Sequence, residues 1–182
     1  MARRCVPGAA LMECFRVSQF HYMGAHLLPS HGPDAGSTQK ARVLVVEDHP
    51  FVRAGIVALV NCQPDLTCCG ETDSMAAART MQLEQKPDLI LLDLRLKDGE
   101  AFDLIHAMKA QSPNIPILVV SQGDEALFAE RVLQLGASGY IMKQEAPDDL
   151  VAAMRTVLTG QTYLSGRIGS ILQKEKLRTF PR

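Results

Sequence analysis

Acidic residues follow two short apolar runs of the sequence, where they could hold a metal ion together. Asp93 directly follows the run at residues 89–92, and the pair Glu47-Asp48 follows the run at residues 43–46. Segments that are apolar throughout are typical of central strands in a parallel sheet, buried on both faces. Because such strands end at the same edge, the three carboxylates are predicted to lie together there. They would repel one another without a cation, and oxygen ligands suit Mg²⁺.

Two more polar residues end apolar runs in the same way. Ser121 follows residues 117–120, and Lys143 follows residues 139–142. Taken singly, a carboxylate or serine after a strand more often caps the next helix, and a lysine there is more often a solvated charge. Together these positions supply metal-binding carboxylates, a nucleophile, a hydroxyl donor and a cation at one edge. That combination favours phosphoryl transfer over a purely structural role.

The elements that must position these residues alternate regularly along the chain. Helical patterns with cap or stop signals separate the apolar runs, and Pro50, Ser74 and Pro147 mark three predicted helix starts. The third predicted helix spans residues 100–111 and ends before a proline. Gly136 is a predicted helix C-cap. Five such βα units predict an α/β fold with a doubly wound, five-stranded parallel sheet and flanking helices. The predicted strands are residues 43–46, 66–70, 89–92, 117–120 and 139–142.

Charge and cysteine content narrow the class of protein. Residues 41–165 carry ten Lys and Arg against seventeen Asp and Glu, so the predicted core is acidic and a poor nucleic-acid surface. Residues 166–182 carry five basic residues against one acidic. The five cysteines are odd in number and form no CxxC pair, which favours reduced thiols over disulfides or a zinc site.

The two ends of the chain show no pattern of a packed domain. Residues 1–40 lack sustained periodicity and are predicted to be a disordered leader. Residues 161–182 are predicted to be a linker or tail remnant, too short for a complete helix-turn-helix. Polar residues interrupt every apolar stretch near the start, so a membrane span is not expected. The predicted localisation is cytoplasmic.

Residues 42–160 resemble the receiver domain of bacterial two-component response regulators, which has the flavodoxin-like, CheY-like fold. Two segments, EDHPFVRAG at residues 47–55 and GQTYLS at residues 160–165, are similar to the NarL/FixJ (LuxR/NarL-type) subgroup. The resemblance implies a receiver domain at residues 41–160. The segments that carry it are VVEDHP at 45–50, LLDLRL at 91–96 followed by Asp98-Gly99, VVS at 119–121 and GASGYIMK at 136–143.

The resemblance also implies a role for each matching residue. Asp93 would be the phosphoacceptor that attacks a phosphohistidine on a sensor histidine kinase or phosphotransfer protein. Glu47, Asp48, Asp93 and the backbone carbonyl of Arg95 would hold Mg²⁺. The remaining roles fall on three residues that match the family's phosphoryl contacts and switch positions. Lys143 and Ser121 would contact the phosphoryl group, and Ser121 and Tyr140 would form the switch. His49 and Arg53 are read as structural or surface residues.

Two enzymatic or cofactor-binding alternatives fit the sequence less well. A haloacid-dehalogenase-type enzyme needs a second acid two residues after the nucleophile, where this chain has Arg95. A flavodoxin-type FMN module needs a hydroxyl- and glycine-rich loop after the first strand, where Glu47-Asp48 would repel phosphate. The protein is therefore expected not to be an enzyme beyond Mg²⁺-dependent self-phosphorylation and dephosphorylation.

The output of the receiver has two interpretations. In the first, the chain is a phosphorelay receiver derived from a LuxR/NarL-type transcription regulator and lacks a complete DNA-binding domain. In the second, it is a stand-alone receiver that acts through protein contacts as a phosphorelay carrier or phosphate sink. DNA binding by this chain alone is not expected, whereas a phosphorylation-dependent homodimer fits both interpretations.

Overall fold

The structure, a computed structural model, describes residues 39–122 and 125–165, without the side chains of residues 125–127. Most of the predicted leader and the basic segment at 166–182 lie outside these residues. Eight strands and five helices are described. The strands are β1 (Ala41–Val46), β2 (Leu66–Thr72), β3 (Leu89–Asp93), β4 (Arg95–Leu96), β5 (Gly99–Glu100), β6 (Ile117–Ser121), β7 (Gly139–Met142) and β8 (Tyr163–Leu164). The helices are α1 (Pro50–Asn61), α2 (Met75–Gln85), α3 (Phe102–Gln111), α4 (Glu125–Gln134) and α5 (Pro147–Leu158).

Six of the strands form one parallel sheet in the order β2-β1-β3-β6-β7-β8. The prediction of a doubly wound α/β sheet of the CheY-like, flavodoxin-like class is confirmed. The order turns back at β1 and β3, where open sheets of this kind bind ligands beyond the carboxyl ends of their strands. The register pairs Val46 with Leu92 and Asp93 with Val120, so the ends of β1, β3 and β6 lie side by side.

The central strands are buried on both faces, which explains their apolar sequences. In β1, Leu44 and Val46 pack into one hydrophobic cluster, while Val43 and Val45 pack into the other on the opposite face. Every residue of β3 and β6 is buried as well. Each aliphatic side chain removed from water in this way contributes about 1.5–3 kcal/mol to folding. The well-packed strands therefore hold the residues at their ends in defined positions.

The predicted helix signals agree with the structure, with one difference. Pro50 and Pro147 occupy first-turn positions, Ser74 accepts a hydrogen bond from the amide of Ala77, and Gly136 adopts a φ of +99° after α4. Helix α3, however, begins at Phe102 rather than near Glu100. Gly99 and Glu100, which precede the N-cap residue Ala101, pair instead with β4 in a short antiparallel hairpin.

Strand β8 was not predicted from the sequence. Its Tyr163 and Leu164 extend the sheet beside β7, and the amide of Ser165 donates to the carbonyl of Tyr140 at 3.3 Å. Gly139 allows this close approach, because a Cβ atom there would lie 2.6 Å from the carbonyl oxygen of Tyr163. The sheet therefore continues past α5, and its edge strand contacts the backbone of a predicted switch residue.

We expect Gly139→Ala to destabilise the domain by about 1–3 kcal/mol, because the added methyl group must displace strand backbone. Amide exchange at Tyr163 should also become faster. Urea unfolding and hydrogen exchange measure both effects. The matched control is Gly55→Ala on α1, where nothing lies within 4 Å of the added Cβ and a gain of about 0.5–1 kcal/mol is expected. Equal stability of the Gly139→Ala variant and the wild type would contradict the tight β7–β8 approach.

The prediction of reduced thiols is confirmed for two cysteines of the described residues. Cys68 and Cys69 carry free thiols, and burial raises the pKa of both. Among the described residues, no helix has both the length and the apolar character needed to cross a membrane.

Candidate functional site

Four of the predicted site residues meet at the carboxyl edge of the sheet. Glu47 and Asp48 follow β1, Asp93 ends β3, and Lys143 follows β7. The Lys143 Nζ atom lies 2.6 Å from Glu47 Oε2 and 2.7 Å from Asp93 Oδ2. The three side chains are nearly inaccessible, with 7%, 2% and 3% of their surface exposed. Because water screens so little there, this lysine is the main compensation for two buried negative charges.

Asp93 is held by groups on both of its carboxylate oxygens. Lys143 donates to Oδ2, and the amide of Arg95 donates to Oδ1 at 3.1 Å. Burial raises the pKa of Asp93, with the neighbouring charge of Glu47 acting in the same direction, while the bonds from Lys143 and Arg95 oppose the rise. The carboxylate is thus buried, oriented and close to a cation, as a nucleophile for an anionic group requires.

The acid pair after β1 contains buried oxygens that the surrounding residues leave unsatisfied. Glu47 Oε2 and Asp48 Oδ1 accept no hydrogen bond from any described residue, although Lys143 Nζ and His49 Nδ1 lie within 2.8 Å of them. Single ligand atoms of Glu47, Asp48, His49 and Asp93 all lie within 4.8 Å of one another. Buried carboxylate oxygens without hydrogen bonds are suited to a divalent cation, so the donor set fits one.

Two residues that the sequence analysis read as structural or surface residues contact this site. His49 Nδ1 lies 3.0 Å from Glu47 Oε1 and 2.8 Å from Asp48 Oδ1. Arg53, one turn along α1, donates from Nη1 to the backbone carbonyl of Glu47 at 2.6 Å. The adjacency of His49 to the acid pair was the signal available for the histidine. For Arg53 the signal was its place four residues later, since helical side chains reach back over the preceding turn.

The hairpin after Asp93 is fixed to the start of α2. Asp98 accepts a hydrogen bond from the amide of Met75 at 3.2 Å, and Lys97 forms an ion pair with Asp73. Gly99, with a φ of +124°, is the first residue of β5 and directly follows the turn at residues 97–98. The amide of Arg95 therefore points at Asp93 from an anchored loop. The predicted use of its carbonyl as a metal ligand stays a prediction.

The two predicted switch residues lie on neighbouring strands. Ser121, at the end of β6, is 1% exposed, and Tyr140 in β7 is completely buried. The carbonyl of Ser121 accepts from the amide of Lys143 at 2.8 Å, which ties the ends of these strands together. Tyr140 packs in the cluster that also contains Ala129 and Val132 of α4. Ser121 lies on the strand next to Tyr140, and Lys143 follows the strand that contains it. A movement of either residue can therefore reach α4 through Tyr140.

Comparison with known proteins agrees with the family resemblance found in the sequence. A family model described as the response regulator receiver domain matches residues 43–155. Response regulator GacA of Pseudomonas viridiflava is 34% identical over 139 residues, which cover 76% of this chain and 64% of that protein. The chain thus spans less than two-thirds of the length of this curated relative.

Two solved structures with similar folds are receiver-containing proteins. A two-component response regulator of the LuxR family from Aurantimonas sp. SI85-9A1 gives a TM-score of 0.71 at 27% identity, covering 76% of this chain and 99% of that one. The signal receiver domain of the response regulator NarL from Mycobacterium tuberculosis gives 0.64 at 29% identity, covering 68% and 99%. In each case the matched region covers nearly the whole of the solved chain. The structural similarity therefore extends over an entire receiver fold.

Proposed function

The chain belongs to the response regulator receiver domain family, and on that premise we propose that residues 41–160 accept a phosphoryl group on Asp93. The observation that carries this proposal is the position of Asp93 itself. Its carboxylate is buried at the edge of the sheet, between the amide of Arg95 and the ammonium of Lys143. No other described aspartate is both buried and in contact with a lysine in this way.

The proposed reaction is a transfer between two protein side chains. A carboxylate oxygen of Asp93 attacks the phosphorus of a phosphohistidine on a sensor histidine kinase or phosphotransfer protein. The P–N bond breaks, its electron pair remains on the imidazole nitrogen, and the phosphoryl group becomes an acyl phosphate. Lys143 balances the negative charge that arrives at the phosphoryl oxygens, since its Nζ atom already lies 2.7 Å from the acceptor carboxylate.

The acid pair gives this site its proposed metal requirement. Glu47, Asp48, Asp93 and the Arg95 carbonyl would hold Mg²⁺, which would supply positive charge for the phosphoryl oxygens. The unsatisfied oxygens of Glu47 and Asp48 support this assignment. Beyond self-phosphorylation and dephosphorylation at Asp93 we propose no catalytic activity, because the family is not a classical enzyme family.

The phosphoryl group would be sensed by the strand ends beside it. Phosphorylation adds about −1.5 to −2 charge and new acceptor oxygens at Asp93. We assign Ser121 and Lys143 as the residues that contact these oxygens, and Ser121 with Tyr140 as the switch. Such contacts exist only in the phosphorylated form, and that difference is what shifts a conformational equilibrium.

For the output we propose regulation of transcription, as a LuxR/NarL-type receiver. The curated relative extends well beyond the matched segment, and one solved neighbour is named as a LuxR-family regulator. The described part of the chain is acidic, so we do not assign DNA binding to it. A phosphorylation-dependent homodimer would carry the signal. A stand-alone receiver would instead pass its phosphoryl group to a second protein, and a transfer assay separates the two.

The wild-type chain tests the proposed reaction directly. Incubation with Mg²⁺ and acetyl phosphate, or with a phosphorylated histidine kinase, should give a retarded band in a phosphate-affinity gel. The band should be absent when EDTA removes the metal ion, and hydroxylamine should remove it because an acyl phosphate is cleaved by that nucleophile. A folded protein that takes up phosphate from neither donor would contradict the proposal.

A further inference from the structure

His49 is the one member of the metal-binding cluster whose ligand atom is a nitrogen. We infer that His49 binds the cation as a fourth side-chain ligand beside Glu47, Asp48 and Asp93, and that it makes the site prefer Mn²⁺ to Mg²⁺. The inference rests on the cation site of the proposed function. It adds a ligand and a metal preference that the acidic residues alone do not give.

The contact between His49 and Asp48 is the first observation behind this assignment. Nδ1 lies only 2.8 Å from Asp48 Oδ1, yet this oxygen accepts no hydrogen bond from any described residue. Two electronegative atoms at that distance repel each other unless a proton or a cation lies between their lone pairs. The ring nitrogen forms its hydrogen bond with Glu47 Oε1 instead, at 3.0 Å, so a cation that replaced this proton would meet Nδ1 and both carboxylates at once.

The separations around His49 also agree with ligands of one ion. Ligands about 2.0–2.2 Å from a metal ion and at right angles to each other are about 3 Å apart. Nδ1 lies 3.0 Å from Glu47 Oε1 and 2.8 Å from Asp48 Oδ1. Pro50, at the first turn of α1, fixes the backbone just after the histidine. The imidazole nitrogen therefore lies at ligand distance from both acids.

The Glu47 carboxylate keeps a partner when the imidazole turns to the cation. Glu47 Oε1 accepts a hydrogen bond from the backbone amide of His49 at 3.1 Å, in addition to its 3.0 Å hydrogen bond with the ring nitrogen Nδ1. Arg53 holds the Glu47 carbonyl from the other side, at 2.6 Å. The loop that carries Glu47, Asp48 and His49 is thus fixed by backbone contacts, which remain when Nδ1 exchanges its bond to Glu47 for the cation.

A nitrogen ligand changes which ion binds best. Mg²⁺ requires a near-ideal set of oxygen ligands, whereas affinity for nitrogen-containing sites rises through the first-row divalent metals from Mn²⁺ onward. Replacing one oxygen or water by imidazole therefore strengthens Mn²⁺ binding more than Mg²⁺ binding. The 57% exposure of the His49 side chain leaves the ring room to adjust to the ion.

Pulsed electron paramagnetic resonance of the Mn²⁺-loaded full chain tests the assignment. We expect the spin-echo modulation of a nitrogen coordinated to Mn²⁺ in the wild type, and its loss in His49→Gln, which offers an oxygen instead. His106→Gln is the matched control, because His106 is an exposed residue of α3 away from the cluster. In equilibrium titrations His49→Gln should lose about tenfold in Mn²⁺ affinity and change less than about threefold in Mg²⁺ affinity.

The outcomes separate this inference from the proposed function. Absence of nitrogen modulation in the wild type, or an equal loss of affinity for both ions in His49→Gln, would overturn His49 as a ligand. If Asp93 is still phosphorylated with Mg²⁺ in that case, the proposed function stands and only the inference fails. Nitrogen modulation that disappears in His49→Gln, in a chain that no donor phosphorylates, would support the ligand and refute the phosphoacceptor.

Discussion

Asp93→Asn is expected to abolish phosphorylation by acetyl phosphate and by a phosphorylated histidine kinase. An amide oxygen is a much weaker nucleophile than a carboxylate, and no other described aspartate lies between Lys143 and the Arg95 amide. The retarded band in the phosphate-affinity gel should therefore fall below detection. Intact-mass measurement of the same samples checks the loss independently.

Asp103→Asn is the matched control for this substitution. Asp103 is an exposed aspartate in the first turn of α3, and it makes no described contact with the acid cluster. The variant should be phosphorylated at the wild-type rate, within about twofold, since surface substitutions away from a site change little. Phosphorylation that persists in Asp93→Asn but disappears in another acidic variant would show that the phosphoacceptor has been misassigned.

The Asp93→Asn variant should also be folded, and the stability of the wild type relative to it should depend on pH in a defined direction. Burial raises the pKa of Asp93 in the folded state above the ordinary aspartate value of about 3.9. A group of this kind stabilises the fold while it is protonated, and the contribution is lost as pH rises from the unfolded pKa through the folded one. The wild type should thus lose stability relative to Asp93→Asn as pH rises above about 4. Urea midpoints of both proteins across that range measure the difference.

The central sheet could be predicted from sequence because its strands are buried on both faces. The apolar runs that became β1, β3 and β6 have no polar alternation, and the structure covers both of their faces. Strand β8 has only two residues, Tyr163 and Leu164, too few for any periodicity to show. Its formation depends on the space left at Gly139, which is a property of the folded sheet.

Some residues of the candidate site could also be predicted from the sequence, whereas others could not. Glu47, Asp93 and Lys143 end predicted strands, so parallel topology alone brings them to one edge. His49 and Arg53 reach the site from the loop and first turns after β1. Their contacts depend on the angle at which α1 leaves the sheet, and a sequence pattern does not specify that angle. The hairpin after Asp93 was not predicted from the sequence, and its anchoring to α2 through Asp98 depends on the fold.

The electrostatics of the site connect its stability to its proposed chemistry. Glu47 and Asp93 are both buried, and Lys143 lies within 2.7 Å of each. A phosphoryl group would bring further negative charge to this place, so the same ammonium must serve the resting and the phosphorylated forms. Any variant that removes it should therefore affect folding and phosphoryl transfer at once.

Lys143→Met is expected to lower the free energy of unfolding by about 3–5 kcal/mol, because it leaves Glu47 and Asp93 as buried charges without their common partner. Methionine keeps a similar length, so packing changes little. The rate of phosphorylation by acetyl phosphate should fall by roughly 10²–10³-fold, the typical effect of removing one donor that stabilises a developing anion. Urea unfolding gives the first quantity, and the time course of the phosphate-affinity gel gives the second.

Two further variants make this expectation specific. Lys109→Met removes another partly buried lysine, whose pKa is lowered by burial and which donates to the carbonyl of Ile115 at 3.0 Å. It should cost stability without slowing phosphorylation. Lys143→Met combined with Asp93→Asn should recover part of the lost stability, because one of the two unpaired buried charges is gone. If Lys143→Met matched the wild type in both measurements, the ammonium would have no part in either process. If the double variant were no more stable than Lys143→Met, the unpaired charge of Asp93 would not be a cause of the loss.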